Sequence, residues 1–154
     1  MTREVERKFL IKEPPGNLED YTKYEIDQGY PIITENKELR IRRQGVRYYQ
    51  TIKIGSGLSR GETEIEITAD QFRALWPLTE GKRVEKVRYE IGYESHLIEL
   101  DIYRGKLENL ITAEVEFTSE PESNEFQPPP WFGTEITDDD RYKNKNLALT
   151  GIPD

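Results

Sequence analysis

Close to the start of the chain, "EVERK" spaces Glu4, Glu6 and Lys8 two residues apart. On a β-strand alternate side chains share a face, so these three form one row while Val5, Arg7 and Phe9 form the other. Carboxylate oxygens are preferred ligands of hard divalent cations such as Mg²⁺, and Lys and Arg are preferred donors to phosphate oxygens. A mixed row of this kind is either the solvated face of an edge strand or one wall of a site for a cation together with an anion. Repetition on other strands discriminates between the two.

The pattern recurs. "ETEIEIT" lines up Glu62, Glu64 and Glu66, "ELD" gives Glu99 and Asp101, and "LITAEVEF" gives Thr112, Glu114 and Glu116. "KELRIRRQ" aligns Glu38, Arg40 and Arg42; "RYYQTIK" aligns Arg47, Tyr49, Thr51 and Lys53; "EKVR" supplies Lys86 and Arg88. Charges therefore sort by strand, some rows nearly all acid and others nearly all base. The alternate positions carry Leu39, Ile41, Ile52, Ile65, Val87, Leu100, Ala113 and Val115, as an apolar face requires. In an ordinary sandwich or small barrel the apolar faces point in and the charges meet water. With the charges inward, about eight strands would enclose a tunnel just wide enough for side chains or one small ligand. Such a tunnel must be neutralised by protons, counter-ions or ligands. An acidic side and a basic side in one cavity suit a metal-bound polyphosphate.

The elements that would position these rows are mostly extended. "KEPPGNLEDY" is a breaker-rich turn, and Pro31 in "YEIDQGYPIIT" predicts a bulge or an edge. The turn "RQGV" joins two alternating runs into a hairpin, and "GSGLSRG" reads as a flexible loop. "ADQFRALWPL" has helical spacing, with Phe72, Leu75 and Trp76 as a core stripe that Pro77 stops. The Pro-rich "EPESNEFQPPPWFG" breaks the rhythm, and "TDDDRYKNKNLALTG" predicts a short helix with acidic residues at its start and Gly151 at its end. His96, the single histidine, is expected to be an exposed bystander.

Composition narrows the options. The 154 residues suit one domain spanning 1–154. With 30 acidic against 22 basic residues the formal net charge is −8, which argues against a nucleic-acid surface but leaves room for a local basic pocket. There is no cysteine, so thiolate nucleophiles and disulfides are excluded. No apolar run approaches a membrane span or a signal-peptide core, so a soluble, cytoplasmic protein is expected, as a monomer or a homodimer.

The ordered set "EVERKF", "LRIR", "TIK", "ETEIEI", "EKVRY", "ELD" and "AEVEF", followed by "RYKNKNLAL", resembles the CYTH-domain proteins, the triphosphate tunnel metalloenzymes, over essentially the whole chain. The resemblance implies a mainly β (α+β) fold: a closed eight-stranded antiparallel β-barrel or tunnel with a charged interior and a few flanking helices, one of them C-terminal. It also implies hydrolysis of triphosphate compounds with two ions of Mg²⁺ or Mn²⁺, and the tail type points to inorganic triphosphate. On this resemblance Glu4, Glu6 and Glu116 are first-metal ligands. Glu62, Glu64 and Glu114 hold a second metal and orient the attacking water, with Asp101 and Glu66 next in line. Lys8, Arg40, Arg42, Lys53, Lys86 and Arg88 cradle phosphate, Lys8 and Lys86 with catalytic roles, and Tyr30 stands where inorganic triphosphatases have a tunnel tyrosine. Arg141 and Lys143 belong to the helix closing one mouth, with Lys145 on its solvated face. Nucleoside or thiamine triphosphatase, class IV-like adenylate cyclase and a non-catalytic polyphosphate-binding module are the alternatives.

Overall fold

A computed structural model describes residues 5–55 and 61–154. Eight strands follow the alternating runs: β1 (Val5–Leu10), β2 (Thr22–Ile33), β3 (Lys37–Gln44), β4 (Arg47–Ile54), β5 (Gly61–Ile67), β6 (Arg83–Tyr93), β7 (His96–Tyr103) and β8 (Ile111–Phe117). Three short helices accompany them: α1 (Ala69–Leu75), α2 (Glu120–Glu125) and α3 (Asn144–Thr150). The strands form one antiparallel sheet in the order β1-β8-β7-β6-β2-β3-β4-β5. The β2–β3 register shifts between Gly29 and Ile32, around the expected irregularity at Pro31. Gly29 is required there, because a Cβ would lie 2.5 Å from the Thr79 side chain.

Apolar alternates build the core outside the charged face. Phe9, Ile91, Ile98, Leu100, Ala113, Val115 and Phe117 pack with Phe126 of the tail, and Trp131 and Phe132 lie against them. α1 starts in a capping box between Thr68 and Gln71, which satisfies donors at its first turn, and Phe72 stacks on Trp76 and meets Tyr48 of β4. α1 ends at Leu75, just before Pro77 as expected, and the chain continues as a 3-10 turn over Trp76–Thr79. A second cluster seats α3: Leu147 and Ala148 are fully buried with Tyr30, Val84, Tyr103, Leu107 and Leu110.

One expectation needs correction, and one element had no forecast. The Pro-rich tail contains a helix, α2, begun by the Ser119 hydroxyl accepting from the Glu122 amide. The barrel is not closed, for among the described residues β1 and β5 occupy the two ends of the ladder and do not pair. The free edge of β1 is taken by the tail. Leu10 N–H donates to the Thr134 carbonyl (2.8 Å), Gly133 N–H to Leu10 (2.7 Å) and Ile136 N–H to Lys8 (2.8 Å). Backbone groups spent on residues 133–136 are not available to β5. The curled, open sheet is a cup.

Candidate active site

The inner face of the cup is the charged face. On its floor Asp101 accepts from Arg88 Nε (2.8 Å) and Nη2 (3.0 Å), and lies 2.8 Å from Lys86 Nζ. Arg88 also reaches Glu99 at 2.9 Å. Cross-strand register sets these contacts, since Arg88 faces Asp101 directly and Lys86 faces Tyr103 two pairs further on, on the same face. Burial pushes the Asp101 carboxyl up, but the two cations outweigh it and hold the group well below the usual carboxylate range. Burial pushes Lys86 down to about 8 against the pull of Asp101. Beside them Arg42 donates to Gln28 (2.6 Å), whose amide donates to the Tyr30 hydroxyl (2.8 Å). Burial, then Arg40 and Arg88, lower the Arg42 guanidinium to about 10.

Above this floor lies a cavity of about 360 Å³ lined by Glu6 and Lys8 of β1, Glu114 of β8, Tyr30, Glu38, Arg40, Lys53 and, from the tail, Ile136, Thr137, Asp139 and Tyr142 to Lys145. Strands from the two halves of the ladder bound one space because the sheet curls. Lys8 Nζ donates to the Tyr142 carbonyl at 2.8 Å, and burial lowers its pKa. Arg40 reaches Thr51 at 3.4 Å and Glu64 at 3.8 Å, and its buried Nε has no hydrogen-bond partner. An orphaned guanidinium nitrogen on a cavity wall is a donor waiting for an anion. Across from it Glu6 is pushed up to about 8, first by its hydrogen bond with Glu114, then by burial and by the charges of Glu114 and Glu116. Burial works against ionisation of Glu114, yet the Glu6 hydrogen bond and Lys8, Lys86 and Arg88 keep it ionised. Two carboxyl groups side by side on the wall of a basic cavity, one of them pushed up by the other, are oxygen donors of the kind a hard divalent cation takes.

The structure thus brings Glu6, Lys8, Tyr30, Arg40, Lys53, Glu114 and Lys143 to one cavity, with Arg42, Lys86 and Arg88 beneath it. Glu4 lies outside the described residues. Glu116 is exposed at the β1–β8 edge, paired in register with Glu6. Glu62, Glu64 and Glu66 are exposed on β5, where Glu64 accepts from Thr51 (2.9 Å) and Glu66 is 3.8 Å from Arg47; the open sheet leaves them apart from Glu114. Asp101 spends its oxygens on two cations. Arg141 lies outside the cavity, in a separate groove over residues 135–141, with both Asp139 oxygens as its partners. Lys145 is not on a solvated face but lines the cavity, 3.8 Å from Glu38. His96 is only 12% exposed, edge-on to Phe117 and Phe126. Among the described residues no three carboxylates converge on one point.

Residues 2–146 match the CYTH domain family. The chain belongs to the CYTH family. Among curated CYTH relatives it is 50% identical over 150 residues to an inorganic triphosphatase of Nitrosomonas europaea, covering 96% of this chain and 97% of that one. An inorganic triphosphatase of Acetivibrio thermocellus is 34% identical over 152 residues, covering 96% and 94%. A crystal structure of an inorganic triphosphatase superposes with a TM-score of 0.81 at 46% identity, covering 100% of this chain and 99% of that chain. Within this CYTH cup, Gln28 is the buried polar residue that charge sorting passed over, while Glu38 and Thr51 stood in the sorted rows without an assigned role. Glu38 was visible in the "ELRIR" row, but nothing local in that row encodes its burial or its ion pair with Lys145.

Proposed function

We propose that this protein hydrolyses inorganic triphosphate to pyrophosphate and phosphate with the help of Mg²⁺ or Mn²⁺. The observation that carries the reading is a cavity in which Lys8, Arg40, Lys53, Lys143 and Lys145 surround a space walled on one side by Glu6 and Glu114. Its volume of about 360 Å³ lies at the small end of ligand pockets, roughly 300–1,000 Å³. Similarity to two inorganic triphosphatases points to the same substrate.

In this reading Glu6, Glu114 and Glu116, together with Glu4, hold the divalent cation. The bound ion supplies charge neutralisation on phosphate oxygens and lowers the pKa of water. Lys8 and Arg40 grip phosphate oxygens, Arg40 through the Nε that has no partner in the protein. Lys53 and Lys143 add positive charge at the rim, and Tyr30, oriented by Gln28, offers its hydroxyl. Arg42, Lys86 and Arg88, set by Gln28 and Asp101, hold a positive potential under the transferring phosphoryl group, where preorganised charge counts most. Glu114, kept ionised, orients the attacking water. Positioning and charge neutralisation do most of the work, so no serine, cysteine or histidine nucleophile is needed.

The test is phosphate release from inorganic triphosphate, ATP and thiamine triphosphate in parallel, with Mg²⁺, with Mn²⁺ and with chelator. Metal-dependent release strongly favouring inorganic triphosphate is expected. Release from ATP at an equal rate would replace the substrate assignment, and binding without release would make the chain a polyphosphate-binding module.

A further inference from the structure

The hydrolase reading counts Lys145 among the cations around the cavity but assigns it no particular phosphate. α3 is anchored by Leu147 and Ala148, both fully buried, so the backbone that carries Lys145 is held against the sheet. Its ammonium points into the cavity beside Glu38, a carboxylate only 8% exposed at the start of β3. At 3.8 Å the two form an ion pair without a hydrogen bond, so the ammonium keeps its three donors for another acceptor. The Glu6–Glu114 pair lies on the β1–β8 wall, and Lys145 lies on the β3 side beneath the tail. A linear polyphosphate spanning the space therefore meets carboxylates and their cation at one end and Lys145 at the other.

We propose that Lys145, held in place by Glu38, is a specificity-determining residue that grips the second terminal phosphate of inorganic triphosphate, the end that is not attacked. The inference rests on the hydrolase reading above and supplies its substrate preference. Inorganic triphosphate ends in a terminal phosphate at both ends, each with two ionisable oxygens. In a nucleoside triphosphate the corresponding phosphate is esterified, with one ionisable oxygen and a bulky organic group. That group would meet Tyr142 and the α3 backbone, while Lys145 would lose half of its charge partner.

Binding is read by titration calorimetry of inorganic triphosphate and of ATP in chelator, where affinity is measured without turnover, on the wild type, Lys145→Met and Lys145→Arg. Lys145→Met is expected to weaken inorganic triphosphate about tenfold or more, as loss of a charge-assisted contact does. ATP affinity should change less than about twofold, and Lys145→Arg should recover most of the loss. In Mg²⁺ kinetics the change should fall on KM with kcat retained. An equal loss for both ligands, no loss for either, or no recovery by arginine would overturn the inference. A wild type that shows this binding pattern but releases no phosphate would overturn the hydrolase reading and support the inference as a rule of binding.

Discussion

Asp101 divides its two oxygens between Arg88 and Lys86 in a site that is almost fully buried. Its folded pKa is depressed, so its contribution to stability is present above the unfolded value, about pH 4, and disappears as the pH falls through the folded value. Asp101→Asn removes the counter-charge while leaving Lys86 and Arg88 in place. Breaking a buried pair in this way costs about 3–5 kcal/mol. Thermal unfolding at pH 7 should therefore show a clearly lower Tm for the variant, and the gap should narrow as wild type and variant are acidified below about pH 4. A variant as stable as the wild type at neutral pH would mean that the floor cations find other partners. The alternating charges of β6 and β7 were legible as rows, but not which acid would become the floor's counter-ion. That choice came from register, which sets Asp101 opposite Arg88.

At the scale of elements, β1 carries both the Glu6–Lys8 row on its inner face and the tail on its free edge. Gly133 approaches so closely that an added Cβ would lie 2.6 Å from the Leu10 carbonyl oxygen. On the outer face Arg7 grips Glu135 through Nε (3.0 Å) and Nη2 (2.8 Å), fastening the same segment. Gly133→Ala should push the tail off β1 at a cost of about 1–3 kcal/mol, the usual penalty of overpacking. Hydrogen exchange would report it, because the Lys8 amide is bonded to Thr137 (3.0 Å) and the Leu10 amide to Thr134 (2.8 Å). Unchanged protection at both amides would show that the segment is held by Arg7 alone. The strands and α1 were readable because their periodicity matched their burial. The closing helix was readable in kind but not in extent: Asp139 caps the turn before it, so the acidic run precedes α3 instead of opening it.

The whole molecule is an anion with a net charge of −8 that concentrates cations in a single cup. Long-range repulsion of a polyanion is screened within about 8 Å at physiological ionic strength, whereas the cavity cations act at contact. Inorganic triphosphate at a hundred times its Kd should stabilise the fold by about 2.7 kcal/mol. For a chain of this size that is a rise in Tm of roughly 5–10 °C. Differential scanning fluorimetry with and without Mg²⁺ would detect it, and a flat response under both conditions would return the charged rows to the role of a solvated face. Among the described residues no helix is long and apolar enough to cross a membrane.

Residue order alone determined the strands, the sorting of charge by strand and the alternation that separates apolar from charged faces, because each is a local property with a period of two. It could not determine which face would turn inward, since Ile, Leu and Val on one side and Glu, Lys and Arg on the other suit either choice until other segments cover one of them. Tertiary structure decided that: Phe126, Trp131 and Phe132 cover the apolar face and leave the charged face to line the cup. It also decided closure and the rim. The tail pairs with the edge of β1, and β5, with Glu62 and Glu64, stands at the other end of the ladder from β1. The burial of Leu147 and Ala148 brings Lys145 to Glu38, more than a hundred residues apart in sequence, and no local pattern encodes a contact at that separation.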